Sequence, residues 1–419
     1  MRLVIIGILV LSACTAIPGT ADPSPTEMAR PTKLAPSPTA TSPPAPTSQP
    51  QALTSTPTSV SRTARDCSDP FEGELVNFAI VFWQSTNFCK HTIEYSEVFS
   101  GGPPPDGIPA IDDPIFESVD AADIWLEDKW PVMFFELGSE ARAYPLAVLI
   151  WHEIVNDVVA GKNVALTFCP LCNSTIAFSS RLEDGTVLDF GTTGNLRNSD
   201  LIMYDRQTRS WWQQFTGEAI VGELTGTMLE MLPSQIISWE EFKQNYPNSA
   251  VLSRETGYER RYGLNPYAGY DDVGGSPFFP VGEYGDELPP VERVVAVMID
   301  DVYIAFPFSR LAEVGIVNEE YAGQPIAIFW KSGTNTAFGN TDRDVGSTGA
   351  FSRELRGQVL TFEAINDGFV DKETGSQWSL TGEAIDGPLL GSKLEKLVSG
   401  EHFWFAWSIF RPDTIVWQP

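Results

Sequence analysis

The chain has 419 residues, with 55 acidic side chains against 27 basic ones and a formal net charge of −28. A surplus of that sign repels phosphate backbones and excludes nucleic acid as a natural partner. Hydrophobic residues make up 42% of the chain, ample for a core, and two domains or one large one are expected.

The N-terminus reads MRLVIIGILVLSAC. Arg2 precedes an apolar run, residues 3–11, that is too short to span a bilayer as a helix. Leu11-Ser12-Ala13-Cys14 resembles the lipobox of bacterial lipoproteins. That resemblance implies a signal peptide over residues 1–13, cleavage before Cys14 and a lipid on Cys14, the expected attachment to the membrane. Residues 14–65 are Pro, Ser, Thr and Ala with almost no large apolar side chains, so they read as a disordered spacer. The expected location is extracytoplasmic, anchored as a lipoprotein. Residues 66–130 form an N-terminal segment and loop. Cys67 and Cys89 bracket its first part and are expected to form a disulfide in an exported chain.

Residues 131–256 are echoed by residues 292–419, with a connecting segment, 257–291, between them. Tyr144-Pro145 faces Phe306-Pro307, Ile154-Val155-Asn156 faces Ile316-Val317-Asn318, and Gly161 faces Gly323, all at one separation. Further on, Asp205, Thr208, Ser210 and Trp212 face Asp371, Thr374, Ser376 and Trp378. We expect two tandem diverged copies of one α+β unit, mostly antiparallel β with short helices. Each opens with a hairpin, turning at Gly138 or at Asp300-Asp301. The spacing of Ile150, Ile154, Val155 and Val158 predicts an amphipathic helix over 146–159. Strands follow over 164–168 and in a hairpin turning at 205–208, where Asp205 can bond its own turn. A last helix is expected after Ser238, with Glu241 three residues on as in a capping box.

The comparison between copies separates scaffold from chemistry. Asn156, Asp205, Trp212 and Glu218 recur as Asn318, Asp371, Trp378 and Glu383, so the shared fold accounts for them. His152 becomes Val314, Glu153 becomes Gly315, Arg142 becomes Ile304, Cys169 becomes Lys331 and Cys172 becomes Thr334. The histidine and both sulfurs are missing together, as for one site held by the first copy alone.

Cys169-Pro170-Leu171-Cys172-Asn173 follows a strand directly, and the residues after it are poor helix formers. A thiol-redox motif would place its first cysteine at a helix N-terminus. A metal knuckle needs a residue with positive φ after the second cysteine, and asparagine serves when glycine is absent. Cys169 and Cys172 are therefore candidate ligands of a transition metal, zinc or copper, with His152 as the third. Glu153, Asp157 or a residue of the 106–113 loop is available as a fourth. Arg142 and Glu153 are expected to stand behind the ligands or to face a substrate. Two alternatives stay open: a thiol-disulfide redox protein using the same cysteine pair, and a non-catalytic surface module that binds a partner.

The strings DGIPAIDDPIF, ARAYPLAVLIWHEIVNDVVAG, TFCPLCNSTIAF, MYDRQTRSWWQQFTGEAI and NPYAGYDD together resemble a family of exported bacterial and archaeal proteins catalogued as a domain of unknown function. The match covers most of residues 101–270. It implies membership and export, and it transfers no catalytic residue and no substrate.

Overall fold

Side-chain alternation and β-branched runs dominate the chain from Val98 onward, and among the described residues they build seven sheets connected almost throughout by antiparallel pairing. A computed structural model describes residues 67–419, apart from Pro280, residues 339–342 and Asp367. The signal peptide, the lipidated Cys14 and the spacer to residue 65 lie outside the described residues. The class is α+β, mostly antiparallel β with a few short helices. No helix among the described residues is long and apolar enough to cross a membrane.

The same order of elements occurs twice. In the first half, strands Pro131–Leu137 and Glu140–Pro145 form a hairpin with Gly138 at φ +61°. Its outer strand pairs antiparallel with Ser234–Ser238, and Ala250–Leu252 adds parallel to the other arm. In the second half, Arg293–Ile299 and Val302–Pro307 form the hairpin, Ser399–Phe403 pairs antiparallel and Ile415–Val416 adds in parallel. A second sheet follows each hairpin: Ile154–Val159, Lys162–Cys169 and Ser174–Ser179 in one half, and Ile316–Tyr321, Gln324–Lys331 and Ser347–Ser352 in the other.

The shared polar residues do the same work in both halves. The Asn156 side chain bonds both the amide and the carbonyl of Phe190, and Asn318 does so for Phe362. The Asp205 carboxylate accepts from the Thr208 amide and hydroxyl and from the Trp212 indole at 2.5–2.9 Å. Asp371 accepts from Thr374 and Trp378 in the same way. Glu218 and Glu383 are both only half-buried. The two halves also share cores: Val132, Phe134, Ile237 and Trp239 pack in one cluster with Phe329, Phe351, Phe362 and Trp378. The Cys67–Cys89 disulfide is formed, in the segment that leads to strand Val98–Ser100 on the edge of a first-half sheet.

One expected element is different. The helix predicted over 146–159 is a single turn, Leu146–Leu149, and Ile154–Val159 is a strand. The apolar positions fit a helical period, but Ile154-Val155 and Val158-Val159 are β-branched pairs that lose rotamer freedom in a helix. Pairing of the whole of Ile154–Val159 with residues 162–167 then decides the conformation. The expected helix after Ser238 is present as Trp239–Asn245, with the Ser238 hydroxyl accepting from the Glu241 amide.

Removing either recurrent carboxylate leaves a buried indole N–H and a turn without their acceptor. Asp205→Ala and Asp371→Ala should each lower stability by about 2–4 kcal/mol in urea denaturation. Asp189→Ala, on the exposed side of the same hairpin, should stay within about 0.5 kcal/mol.

Candidate metal centre

The cysteine turn is set by its own chemistry. Strand Lys162–Cys169 ends in a 3-10 turn, Pro170–Cys172, and Asn173 takes the left-handed conformation at φ 50°, ψ 39°. Ser174 then pairs back with Cys169, so the two strands close around the turn. This is the knuckle geometry expected of the sequence, without the helix a thiol-redox motif requires. The left-handed residue near the matching turn of the second half is Gly333 at φ 114°, so Asn335 does not take the role of Asn173.

A second turn meets the first. Strands Phe190–Arg197 and Asp200–Asp205 are joined by Asn198 and Ser199, both at positive φ (54° and 62°), as a tight two-residue hairpin demands. Its tip is pressed against the cysteines. Both thiols donate to the Ser199 carbonyl, at 3.8 Å from Cys169 Sγ and 3.6 Å from Cys172 Sγ. Cys172 Sγ also lies 3.5 Å from Asp200 Oδ1. The other oxygen, Asp200 Oδ2, accepts from Gln213 Nε2 at 2.6 Å and from the Phe215 amide at 2.9 Å, which fixes the carboxylate with Oδ1 toward the sulfurs. One ligand atom from each of Cys169, Cys172 and Asp200 lies within 4.8 Å of the others, and all three residues are buried.

Asp200 was not singled out from sequence, although a signal exists. It opens a strand that is otherwise apolar up to Tyr204. Five residues before the recurrent aspartate, the first half has Asp200 before Asp205 and the second half has Asn366 before Asp371.

Glu153 is buried near this cluster, close enough to feel the charge of Asp200, but it is outside the group of ligand atoms within 4.8 Å of one another. It ends the Leu146–Leu149 turn in the left-handed conformation, φ +60°, with its amide on the Leu149 carbonyl and its own carbonyl taking the Phe168 amide. In the second half Gly315 stands there at φ +71°, with the corresponding bonds to Leu311 and Trp330. A glycine is the natural residue at such a helix end, and a glutamate there carries about 1 kcal/mol of strain. Strain of this kind concentrates at functional sites.

The electrostatics are those of a buried acidic pocket. Burial, and then the charge of Asp200, push the Glu153 carboxyl up to about 8. Burial lifts Asp200 to about 6 against the hydrogen bonds from Gln213 and Phe215 that pull it down. Burial also raises both thiols, Cys172 well above its ordinary value. None of the ion pairs among the described residues involves Glu153 or Asp200.

The remaining sequence candidates lie elsewhere. His152 is fully buried, but its Nδ1 is 2.7 Å from the Pro109 carbonyl and its Nε2 2.7 Å from the Tyr262 hydroxyl, so both ring nitrogens are engaged away from the sulfurs. Arg142 is 2.6 Å from Asp157 and lies over the Phe116 ring, which commits Asp157 as well. Asp106 and Asp112, from the loop considered for a fourth ligand, are engaged by Tyr204 and by Asn156 and Arg206. The expected Cys/Cys/His grouping is thus replaced in space by Cys169, Cys172 and Asp200.

The segment between the halves covers this pocket. Tyr270 donates to the Leu171 carbonyl inside the cysteine turn at 2.9 Å, and the Phe279 carbonyl accepts from Ser199 Oγ at the hairpin tip. The second half anchors it: Asp271 is held by Arg293 at 2.6 Å, by Arg343 and by Thr336, and Gly269 donates to the Phe338 carbonyl.

Over residues 105–414 the chain matches the family described as protein of unknown function (DUF3179). It belongs to that family. The match runs through both halves and the cover between them, further than the strings in residues 101–270 had suggested. No curated protein and no solved structure matches the chain.

Two expectations follow from this geometry. Asp200 and Glu153 have carboxyls raised above their unfolded values, so their contribution to stability is intact below about pH 4 and is lost as pH rises toward 6 and 8. In metal-free protein the melting temperature should fall across that interval. The fall should be shallower in Glu153→Gly, which should also melt higher at pH 8 because both the strain and the buried charge are gone. Second, Asp271→Asn should loosen the cover. Labelling of Cys169 and Cys172 in folded, metal-free protein by a small thiol reagent should speed up by roughly tenfold or more, and the melting temperature should fall as well because the buried Arg293 loses its charge partner.

Proposed function

We propose that the first half of this protein is a transition-metal centre held by Cys169, Cys172 and Asp200, with Glu153 as the fourth group. One observation carries the reading: three ligand atoms within 4.8 Å of one another, wholly buried, in a pocket whose acidic groups have no cationic partner among the described residues. Desolvated acids without a countercharge are costly, and a divalent cation replaces their protons with the missing charge. Two thiolates with a carboxylate suit zinc, and the hard carboxylate weighs against copper(I). Gln213 and the Phe215 amide would orient the Asp200 ligand. His152 is not among the proposed ligands.

In the same reading the chain is exported and tethered to the membrane through a lipid on Cys14, the cysteine of the lipobox-like string. The second half is a diverged copy that has lost the centre. Its recurrent sheet order and side-chain bonds support this, and Lys331, at the position of Cys169, pairs with Glu241. Thiol-disulfide exchange is the weaker alternative, because both thiols are buried and raised and no helix N-terminus addresses them.

Elemental analysis of protein purified without added metal tests the centre. The expected result is close to one equivalent of zinc in the wild type and less than a tenth in Cys172→Ser, with Asp200→Asn intermediate. Absence of transition metal from the wild type, unchanged after incubation with zinc, would exclude the proposal. A reducible Cys169–Cys172 bond with no metal in either state would favour the redox alternative.

A further inference from the structure

The metal reading leaves His152 without a task, although Val314 stands in its place in the other half. Its surroundings give it one. With Nδ1 against the Pro109 carbonyl, that nitrogen carries the proton, so Nε2 is the acceptor and the Tyr262 hydroxyl donates to it. Thr256 Oγ1 lies 2.6 Å from the same hydroxyl and completes the chain. The rings of Tyr258 and Tyr262 lie tilted against the imidazole, with centroids at 5.5 and 5.8 Å. This chain of bonds runs from the buried imidazole out to half-buried Tyr262 and Thr256, and the Pro109 that it holds faces a cavity.

The cavity measures about 320 Å³ and is lined by three stretches far apart in sequence: the 106–110 loop, Arg206, and Tyr258 with Arg260. These come from strings that stood out in the sequence, DGIPAIDD and MYDRQT, together with the segment joining the halves. Its charges are unequally matched. Arg206 is paired with Asp112 at 2.5 Å and faces Asp106 at 3.8 Å. Asp106 also takes the Tyr204 hydroxyl. Arg260 meets only the carbonyl of Glu259, at 3.4 Å, and no carboxylate among the described residues. It therefore brings an uncompensated positive charge to a cavity in a chain of net charge −28.

We propose that this cavity is a binding site for a small anion, a carboxylate or a phosphate, with Arg260 as its principal partner and the Tyr258 ring as its outer wall. A guanidinium presents paired N–H donors in the geometry of either group. The site is separate from the cysteine turn and stands whether or not that turn holds metal.

Thermal unfolding of the whole exported chain is measured against inorganic phosphate and, separately, succinate, with ionic strength held constant by sodium chloride. A saturable rise in melting temperature is expected with at least one of them, and which one responds identifies the headgroup. Arg260→Gln, a change at a half-buried position, should melt as the wild type does without anion and should shift the midpoint concentration upward by roughly tenfold or more. Cys172→Ser should leave the anion response intact, which separates this site from the metal centre. No saturable response to either anion, or an unchanged response in Arg260→Gln, would overturn the proposal.

Discussion

Four acidic groups, those of Glu153, Cys169, Cys172 and Asp200, are buried near one another without an ion-pair partner among the described residues. Left to themselves these groups would stay protonated or seek solvent. Several local structures hold them together: the left-handed Asn173 that closes the cysteine turn, the two-residue tip at Asn198-Ser199, and the strained Glu153 at a helix end. Each is a backbone device, and each is fixed by sheets that extend well beyond the pocket. The scaffold is built so that the cluster cannot disperse.

The second half explains how much of that scaffold is generic. It keeps the hairpin, the parallel added strand, the asparagine clamp on a neighbouring strand and the aspartate that accepts an indole. Its described residues hold no such cluster, and a lysine paired with Glu241 stands where the first cysteine would be. Its hairpin corresponding to 190–205 is short, with four residues to each arm. What the second half supplies instead is support. Asp271, clamped by Arg293 and Arg343, fixes the segment from which Tyr270 reaches the cysteine turn. A family match running from 105 to 414 fits a unit in which neither half stands alone.

Much of this was legible from residue types. Local chemistry fixed the knuckle, because a strand leading into Cys-Pro-Leu-Cys-Asn leaves little choice of backbone. The hairpin turns at Gly138 and Asp300, the cap at Ser238 and the Asp205 turn follow from short-range hydrogen bonding and were read correctly. The 146–159 helix was misread because period alone cannot separate a helix from a β-branched strand with a sheet partner. His152 was taken for a ligand on proximity in sequence, yet successive residues at a chain reversal point in different directions. Glu153 is buried where it feels the charge of Asp200, and His152 bonds the Pro109 carbonyl and the Tyr262 hydroxyl.

The sequence by itself determined the class of fold, the internal echo, the Cys67–Cys89 pairing and the two sulfurs of the candidate centre, since each depends on neighbours a few residues away or on a pattern repeated along the chain. Tertiary structure alone decided the third ligand. Asp200 lies 28 residues beyond Cys172, and it reaches the sulfurs only because a separate hairpin of particular length delivers its tip to the knuckle. Which carboxylate meets which thiol depends on where two sheets cross, and that is set by packing over the whole chain.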